Sequence, residues 1–181
     1  MKRSSLKRLV STGVVATGML AASSAMAAVD MFLKMDGVSG EATDATHKGE
    51  IDVLAWSWGE STGSARTRRG VRPIACIQDL SLTKYVDSAS PTLIMDTMVG
   101  TVGPTAVLTI RTAGASPLEY IVLTMREVSV SSYQTGGSGG EDRLTENVTL
   151  HFQTMQGQYR RSDGSDPITF EIGGESRGCQ P

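Results

Sequence analysis

A glycine-rich segment that leads directly into an alternating apolar pattern is the feature that most constrains the fold of this chain. Residues 136–140 read Gly-Gly-Ser-Gly-Gly, and the acidic residues Glu141 and Asp142 follow. Within residues 145–152 apolar and polar side chains then alternate, which is the period of a half-buried strand. A phosphate-binding loop would need a following lysine and a helix. We therefore predict a flexible hairpin turn between two strands.

The same period of two recurs along the chain. Met31, Leu33 and Met35 alternate with charged residues, and residues 105–111 show a similar alternation. Several such strands with glycine-rich turns predict a sandwich or barrel. Residues 118–130 differ, because both faces are apolar at 120–123. That strand needs a second cover, which is either the chain's own helix or a neighbouring subunit.

One segment has the signals of a helix. Ser90 is predicted to cap it, Pro91 suits the first position, and Gly100 ends it, while Ile94, Met95, Met98 and Val99 share one face. By contrast, residues 59–72 have no apolar period and are predicted to form an exposed, mobile loop. The expected fold is mainly β, with one short helix.

The N-terminus has the pattern of a signal peptide. Four basic residues within 2–8 precede an apolar run from Leu9 to about Ala22, and Ala25-Met26-Ala27 follows. The run is shorter than the roughly 18 to 20 residues that cross a bilayer, so no stable membrane insertion is expected. We predict a signal peptide at 1–27, one domain at 28–172 and a tail at 173–181. An internal start at Met26 is the alternative. With the signal used, the protein passes through the periplasm and is secreted.

The charge balance argues against nucleic acid as a partner. The whole chain has a formal charge of −2, and loss of the four basic leader residues leaves 13 basic against 19 acidic, or −6. Such a surface repels polyanions.

Two cysteines, Cys76 and Cys179, are present. In an exported protein they are candidates for a disulfide that joins the tail to the barrel. Equally, Cys76 suits a buried apolar position, and Cys179 near the terminus can be free. Both interpretations stand.

No residue pattern indicates catalysis, a cofactor or a metal. His47 and His151 are isolated in sequence, and His151 falls on the polar face of its strand, where a solvated histidine is expected. There is no nucleophile elbow. Trp56 and Trp58 lie two apart and are predicted to be barrel core or subunit contact.

Charge arrangement supplies the candidate interface residues. One segment is basic and a second is acidic, the residues being Arg66, Arg68, Arg69 and Arg72 in the first, and Glu141, Asp142 and Glu146 in the second. They are candidates for meeting across a subunit boundary, where complementary charges set register and partner choice. The alternative is two solvated loops.

Three segments together resemble one known family. They are Glu-Ile-Asp-Val-Leu-Ala-Trp-Ser-Trp-Gly at 50–59, the stretch Gln78 to Pro91, and Gln134 to Leu150. They are similar to the haemolysin-coregulated protein (Hcp) family, the tail-tube proteins of type VI secretion. The resemblance runs from about Val29 to Arg160, and residues 167–172 look like the family's last strand. It implies a small closed or nearly closed antiparallel β-barrel with one helix.

The resemblance also implies a function. Members form hexameric rings that stack into a tube, carry small effector proteins in the lumen, and are expelled by the secretion machinery with no catalytic residues of their own. We therefore expect a non-enzymatic, secreted, self-assembling protein with other secretion components as partners. Family members normally lack an export signal. The alternative is an exported Hcp-like binding or adhesion module, periplasmic or extracellular.

Overall fold

The structure is a computed structural model that describes residues 28–140 and 142–173. Ten strands and one helix lie within these residues. In chain order they are β1 Val29–Met35, β2 Ile51–Ser57, β3 Glu60–Thr67, β4 Gly70–Ile77, β5 Leu80–Tyr85, α1 Ser90–Val99, β6 Val102–Thr112, β7 Glu119–Gly136, β8 Thr145–His151, β9 Thr154–Tyr159 and β10 Ile168–Gly173.

Six of the strands close into an antiparallel barrel. The order is β7-β6-β1-β2-β5-β8, and β8 pairs back with β7. Closure gives every barrel strand a partner on both sides, which removes the exposed edges at which open sheets aggregate. The predicted mainly β fold, a closed barrel with one short helix, is confirmed.

Strand β7 pairs with β6 along one edge and changes partner along the other edge. Its first half, Ile121 to Arg126, pairs with β9, and its second half, Ser129 to Gly136, pairs with β8. Between the halves Glu127 has a φ of 51°, a left-handed conformation that side chains other than glycine rarely adopt. The local bend lets one strand leave the β9 ladder and enter the barrel seam.

Strands β9 and β10 extend the sheet beyond the barrel. Phe170 pairs with Gly157, and a Cβ at Gly157 would lie 2.1 Å from Cζ of the Phe170 ring. Only glycine therefore leaves room for this aromatic ring on the sheet. The predicted last strand over 167–172 is confirmed as Ile168–Gly173.

The barrel core is built from the alternating residues. Leu33 and Met35 of β1 are buried, as are the inward residues of β6 and β8, which are Ala106, Leu108, Ile110, Val148 and Leu150, with Phe152 just beyond β8. Each fully buried large apolar side chain contributes about 1.5–3 kcal/mol. Helix α1 packs against β7, so the chain itself supplies part of the second cover for that strand. Tyr120, Ile121 and Val122 are nevertheless only half-buried.

Helix α1 follows the prediction with one correction. It ends at Gly100, whose φ of 74° is left-handed and whose N–H donates to the Asp96 carbonyl at 2.8 Å. The predicted cap is wrong, because Ala89 occupies the N-cap position and no side chain caps the helix. Ser90 is instead the first helical residue, and its hydroxyl is used elsewhere.

The predicted mobile loop over 59–72 is also wrong. Strands β3 and β4 form an antiparallel hairpin in register from Glu60↔Ile77 to Thr67↔Gly70, closed by a two-residue turn. Gly70 at the end of the turn has a φ of 118°. The hairpin forms its own two-stranded sheet, separate from the barrel. The arginines of the hairpin are nevertheless exposed, as the sequence predicted.

Candidate interaction surfaces

A lysine and a glutamate face each other inside one end of the barrel. Leu80, Leu82 and Lys84 occupy alternate, inward positions of β5, and Lys84 lies directly opposite Glu146 of β8. Both charged side chains are 0% exposed, and the Lys84 Nζ lies 2.6 Å from Glu146 Oε1. A buried charge is tolerated only when it is paired and hydrogen-bonded. We call this pair and its partners the Lys84 cluster.

The remaining hydrogen bonds of the Lys84 cluster attach the helix to the barrel. The Lys84 Nζ also donates to Asp87 Oδ1 at 2.7 Å and to the Tyr85 carbonyl at 2.8 Å. The Ser90 hydroxyl donates to Glu146 Oε1 at 2.9 Å and accepts from the Asp87 N–H at 3.1 Å. The cluster thus joins β5, β8 and the start of α1.

Strand β7 adds a fourth element to the cluster. The Tyr133 hydroxyl donates a short hydrogen bond to Glu146 Oε2. Desolvation and the neighbouring Glu146 carboxylate raise the pKa of Tyr133 to about 12, because both disfavour a phenolate at this place. Tyr133 therefore remains protonated and acts as a donor throughout the physiological range.

A second charged cluster fixes the long connection between β1 and β2. The Arg111 guanidinium of β6 bonds Asp44 through both terminal nitrogens and lies 3.2 Å from Asp30 Oδ2. The hydrogen bond from Arg111, followed by those from Thr46, holds the pKa of Asp44 well below its usual range. We call this group the Arg111 cluster.

The imidazole of His47 lies beside the Arg111 cluster and is buried. Its ring stacks on Phe32 with centroids 4.5 Å apart. Its Nδ1 lies 2.9 Å from Glu50 Oε2, and its Nε2 lies 3.4 Å from Glu119 Oε1. His151, predicted to be solvated, is partly exposed and lies 3.1 Å from Asp79 through its Nδ1. The two histidines occupy separate carboxylate environments.

A groove runs over the outside of the barrel at the end that carries the Lys84 cluster. It is formed by β1, β2, the end of β5 and the β7–β8 turn, and holds a cavity of about 260 Å³. Asp52 is exposed in this cavity, and Asp142 is exposed in an adjoining one that shares Tyr85 and Arg143 with it. The Arg143 guanidinium lies 4.1 Å from the centre of the Tyr85 ring. We call it the acidic groove.

The candidate interface residues fall in two separate places. Arg66, Arg68, Arg69 and Arg72 are exposed on the β3–β4 hairpin, and Asp142 is exposed in the β7–β8 turn. Glu141 lies outside the described residues. Glu146 was wrongly grouped with the acidic loop, because it is a buried partner of Lys84. The structure does not bring the basic and acidic sets together within one chain.

Two further surfaces are suited to contacts. The outer face of β2, β5 and β8 carries small neutral polar side chains, among them Ser81 and Thr149 with their hydroxyls 3.2 Å apart. Helix α1 exposes Met95, Met98 and Val99 at 56%, 76% and 72%. Trp56 and Trp58 are half-buried and pack against the core, which is one of the two placements predicted for them, and Trp56 also lies beside Ser57 and Ser81 on the outer face.

One of the two cysteines of the proposed disulfide lies within the described residues. Cys76 is buried at the base of the hairpin. Cys179 lies outside the described residues, as does the predicted signal peptide at 1–27. The Cys76–Cys179 bridge stays a prediction.

Within residues 28–140 and 142–173, no group of three or more histidine, cysteine or carboxylate side chains is placed to hold a metal ion. In the same part of the chain, no helix has the length and apolar character needed to span a bilayer.

Comparison with known proteins decides the family. A family described as "Type VI secretion system effector, Hcp" matches residues 32–159. This chain belongs to the Hcp family. It is 51% identical over 143 residues to protein hcp1 of Pseudomonas aeruginosa PAO1, covering 76% of this chain and 88% of that protein.

Solved structures of the Hcp family show the same architecture. Hcp1 from Salmonella typhimurium is 33% identical, with a TM-score of 0.68 over 82% of this chain and 95% of that one. A type VI secretion system effector from Yersinia pestis is 30% identical, with a TM-score of 0.67 over 80% and 99%. The sequence resemblance over the strands and the helix is thereby confirmed.

Sequence reasoning missed the Lys84 cluster, although the signal was present. Lys84 and Glu146 both fall on the inward register of alternating strands, two residues from Leu82 and Val148. Opposite charges at two inward positions predict a buried pair. The cluster also gives a role to Lys84, Asp87 and Ser90 in the segment from Gln78 to Pro91 that carried the family resemblance.

Proposed function

We propose that this chain is a non-enzymatic structural protein of type VI secretion, whose copies form hexameric rings that stack into a secreted tail tube. The observation that carries the proposal is the 51% identity across 88% of the length of Pseudomonas aeruginosa hcp1. The closed barrel with one helix supports it, because that is the architecture which the family resemblance implies.

The exposed apolar surface of α1 supports assembly of several copies. Met95, Met98 and Val99 share one face of the helix, and Val102 at the start of β6 is 62% exposed. Large apolar side chains exposed together on one helix face mark a contact site in soluble proteins, and methionine adapts readily to a partner surface. Contacts between copies would remove this surface from water.

Small effector proteins are the cargo that we propose for the ring. The outer face of β2, β5 and β8 supports this role, since Ser57, Ser81, Thr83 and Asn147 line a shallow cavity of about 200 Å³. These side chains are short, uncharged and able to donate and accept hydrogen bonds. Such a surface accommodates varied partners without demanding one charge pattern.

The oligomeric state tests the ring proposal. The protein is purified after expression of the full chain and measured by sedimentation velocity and native mass spectrometry, with negative-stain microscopy of the same sample. We expect a closed ring of six copies. A monomer that persists at high protein concentration would contradict the proposal.

A second candidate is favoured by one observation, the signal-peptide pattern over residues 1–27. An exported Hcp-like binding or adhesion module would keep the barrel and act in the periplasm or outside the cell. Native mass spectrometry of protein from the periplasm and the medium separates the two functions. A species cut after Ala27 and released without the secretion system supports the module. A ring that starts at Met26 or Ala27 and needs the secretion system for release supports the tube.

A further inference from the structure

The β3–β4 hairpin stands apart from the barrel over most of its length. Cys76 and Ile77 at its base are buried, whereas residues 71–75 of β4 are all exposed. Among the described elements, β3 and β4 pack extensively only against each other. A strand of the length of β3 spans about 25 Å. The hairpin therefore extends from the barrel and presents its tip to solvent.

The tip of the hairpin concentrates positive charge. Residues 61–77 contain four arginines and no aspartate or glutamate. Arg66, Arg68 and Arg72 are exposed, and none of the three forms an ion pair with another described residue. Arg68 lies in the two-residue turn, and the other two lie in the flanking strands. These three guanidinium groups are available to anionic oxygens, which arginine binds through paired hydrogen bonds.

Two exposed apolar residues lie among the arginines. Val71 is 65% exposed and Ile74 is 37% exposed. Val71 lies directly opposite Arg66, so these two side chains share one face of the hairpin, while Arg72 and Ile74 share the other. Each face therefore combines a cation with an aliphatic side chain. That combination suits the boundary region of a bilayer, where apolar side chains enter the acyl layer and basic groups remain at the phosphates.

The acidic remainder of the protein does not prevent such a contact. Loss of the four basic leader residues leaves 13 basic against 19 acidic residues, or −6. At physiological ionic strength, however, the screening length is about 8 Å, which is about a third of the span of the hairpin. A surface that meets the tip is thus screened from most of the barrel's carboxylates. It interacts chiefly with the local charge of the arginines.

We infer that the tip of the hairpin is a peripheral binding site for a membrane surface that contains anionic phospholipid. Arg66, Arg68 and Arg72 bind the lipid phosphates in this contact, and Val71 enters the apolar boundary. Nucleic acid suits the tip less well, because it offers Val71 no acyl layer and residues 60–77 contain no aromatic side chain to stack on bases.

This inference goes beyond the proposed function and requires only a single copy of the chain. In a cyclic ring, symmetry gives every hairpin an equivalent position, so several tips meet one surface together and bind it more tightly. Single copies that bind vesicles support the site even where the ring proposal fails. The two proposals therefore fail independently.

Cosedimentation with lipid vesicles tests the site. The protein is mixed with phosphatidylcholine vesicles that contain about one quarter phosphatidylglycerol, and separately with vesicles of phosphatidylcholine alone. Each mixture is measured at about 20 mM and about 0.5 M salt, between which the screening length falls several-fold. We expect binding to the anionic vesicles at low salt, less at high salt, and little binding to the neutral vesicles. Absence of binding to the anionic vesicles at low salt would overturn the inference.

Charge reversal at the tip locates the binding site. A hairpin variant carries Arg66→Glu, Arg68→Glu and Arg72→Glu. Its partition onto the anionic vesicles is expected to fall by more than about a hundred-fold, since each basic residue near an anionic surface contributes about five-fold. Unchanged binding of this variant would contradict the inference.

A matched control separates the position of the charges from their number. It carries Lys48→Glu, Arg160→Glu and Arg161→Glu, which make the same change in net charge at exposed positions outside the hairpin. The control is expected to bind nearly as well as wild type. If it loses binding as severely as the hairpin variant, net charge rather than the tip controls the contact, and the inference fails.

Val71→Ser distinguishes a lipid surface from a soluble polyanion. The variant is expected to bind the anionic vesicles about five- to ten-fold more weakly than wild type, because the serine gains little from the acyl layer. Vesicle binding that is indifferent to this change, or wild-type binding to double-stranded DNA that is tighter than binding to the vesicles, would overturn the inference. Circular dichroism of each variant verifies that it is folded.

Discussion

The Lys84 cluster and the β3–β4 hairpin both contain basic side chains, but one is buried and the other is exposed. In the cluster one ammonium group is 0% exposed and bonds two carboxylates, a hydroxyl and a carbonyl. In the hairpin several guanidinium groups stand exposed on a sheet of two strands. Because the first set is buried, removal of one member leaves an unpaired charge inside the barrel and destabilises the folded protein. Exposure makes the second set available to a partner at little cost to folding.

The largest effect on stability is expected from Lys84→Met. The change leaves Glu146 and Asp87 without their cation, and breaking a buried pair in this way costs about 3–5 kcal/mol. Denaturant unfolding measures the loss. Lys34→Met on the exposed face of β1 is the matched control and is expected to change stability by less than about 0.5 kcal/mol. Equal losses in the two variants would mean that burial does not distinguish these lysines.

A smaller effect is expected from Tyr133→Phe. The variant removes the donor to Glu146 Oε2, and an unmatched buried acceptor costs about 1–3 kcal/mol. Tyr159→Phe, at an exposed tyrosine, is the control.

The pH dependence of the wild type follows from the same tyrosine. Its pKa is raised to about 12 in the folded protein, above the unfolded value of about 10. Its contribution is therefore complete below about pH 10 and is lost as the pH rises toward about 12. The difference in unfolding free energy between wild type and Tyr133→Phe should shrink over that range. A constant difference would contradict the assignment.

Asp44→Asn is expected to weaken the Arg111 cluster and to leave the packing of the barrel core unchanged. The pKa of Asp44 is held low by Arg111, so its contribution is complete above the unfolded value of about 3.9 and is lost as the pH falls through the lower folded value. Thermal unfolding should show a lower Tm for the variant at pH 7 and a smaller difference in acid. Asp36→Asn, at an exposed position, should show neither.

The hairpin variant Arg66→Glu, Arg68→Glu, Arg72→Glu should have the smallest effect on folding. Exposed substitutions away from packing sites change stability by about 0.5 kcal/mol or less each. Its unfolding midpoint should stay near that of wild type. A large drop in Tm would show that the arginines contribute to the stability of the fold. The hairpin would then not differ from the Lys84 cluster in this respect.

The strands in which apolar and polar residues alternate were predictable from the sequence, and so was the helix. Strands β1, β6 and β8 and helix α1 follow the apolar period and the terminal glycine. The hairpin was missed because residues 60–70 are mostly small, polar or basic and have no apolar face. Their pairing depends on backbone hydrogen bonds and a tight turn. The burial of His47 was missed because its partners Phe32 and Glu119 are distant in sequence.

For the surfaces, the sequence predicted which side chains are charged but not where they meet. Arg66 to Arg72 were correctly expected to be exposed. Glu146 was misplaced, since an acidic residue near a turn is usually solvated and only its register on β8 shows that it points inward. Asp52 was not singled out, because its place in the groove depends on how β1, β2 and the β7–β8 turn come together.

The change of partner along β7 divides the sheet into two parts that open with different free energies. Strands β9 and β10 are joined to the barrel through one ladder with Ile121 to Arg126, whereas β8 lies within the closed ring. Separation of β9 and β10 leaves that ring intact, while separation of β8 from β7 and β5 opens it. Amide hydrogens of β9 and β10 should therefore exchange by local detachment, and those of β8 only when the barrel as a whole unfolds.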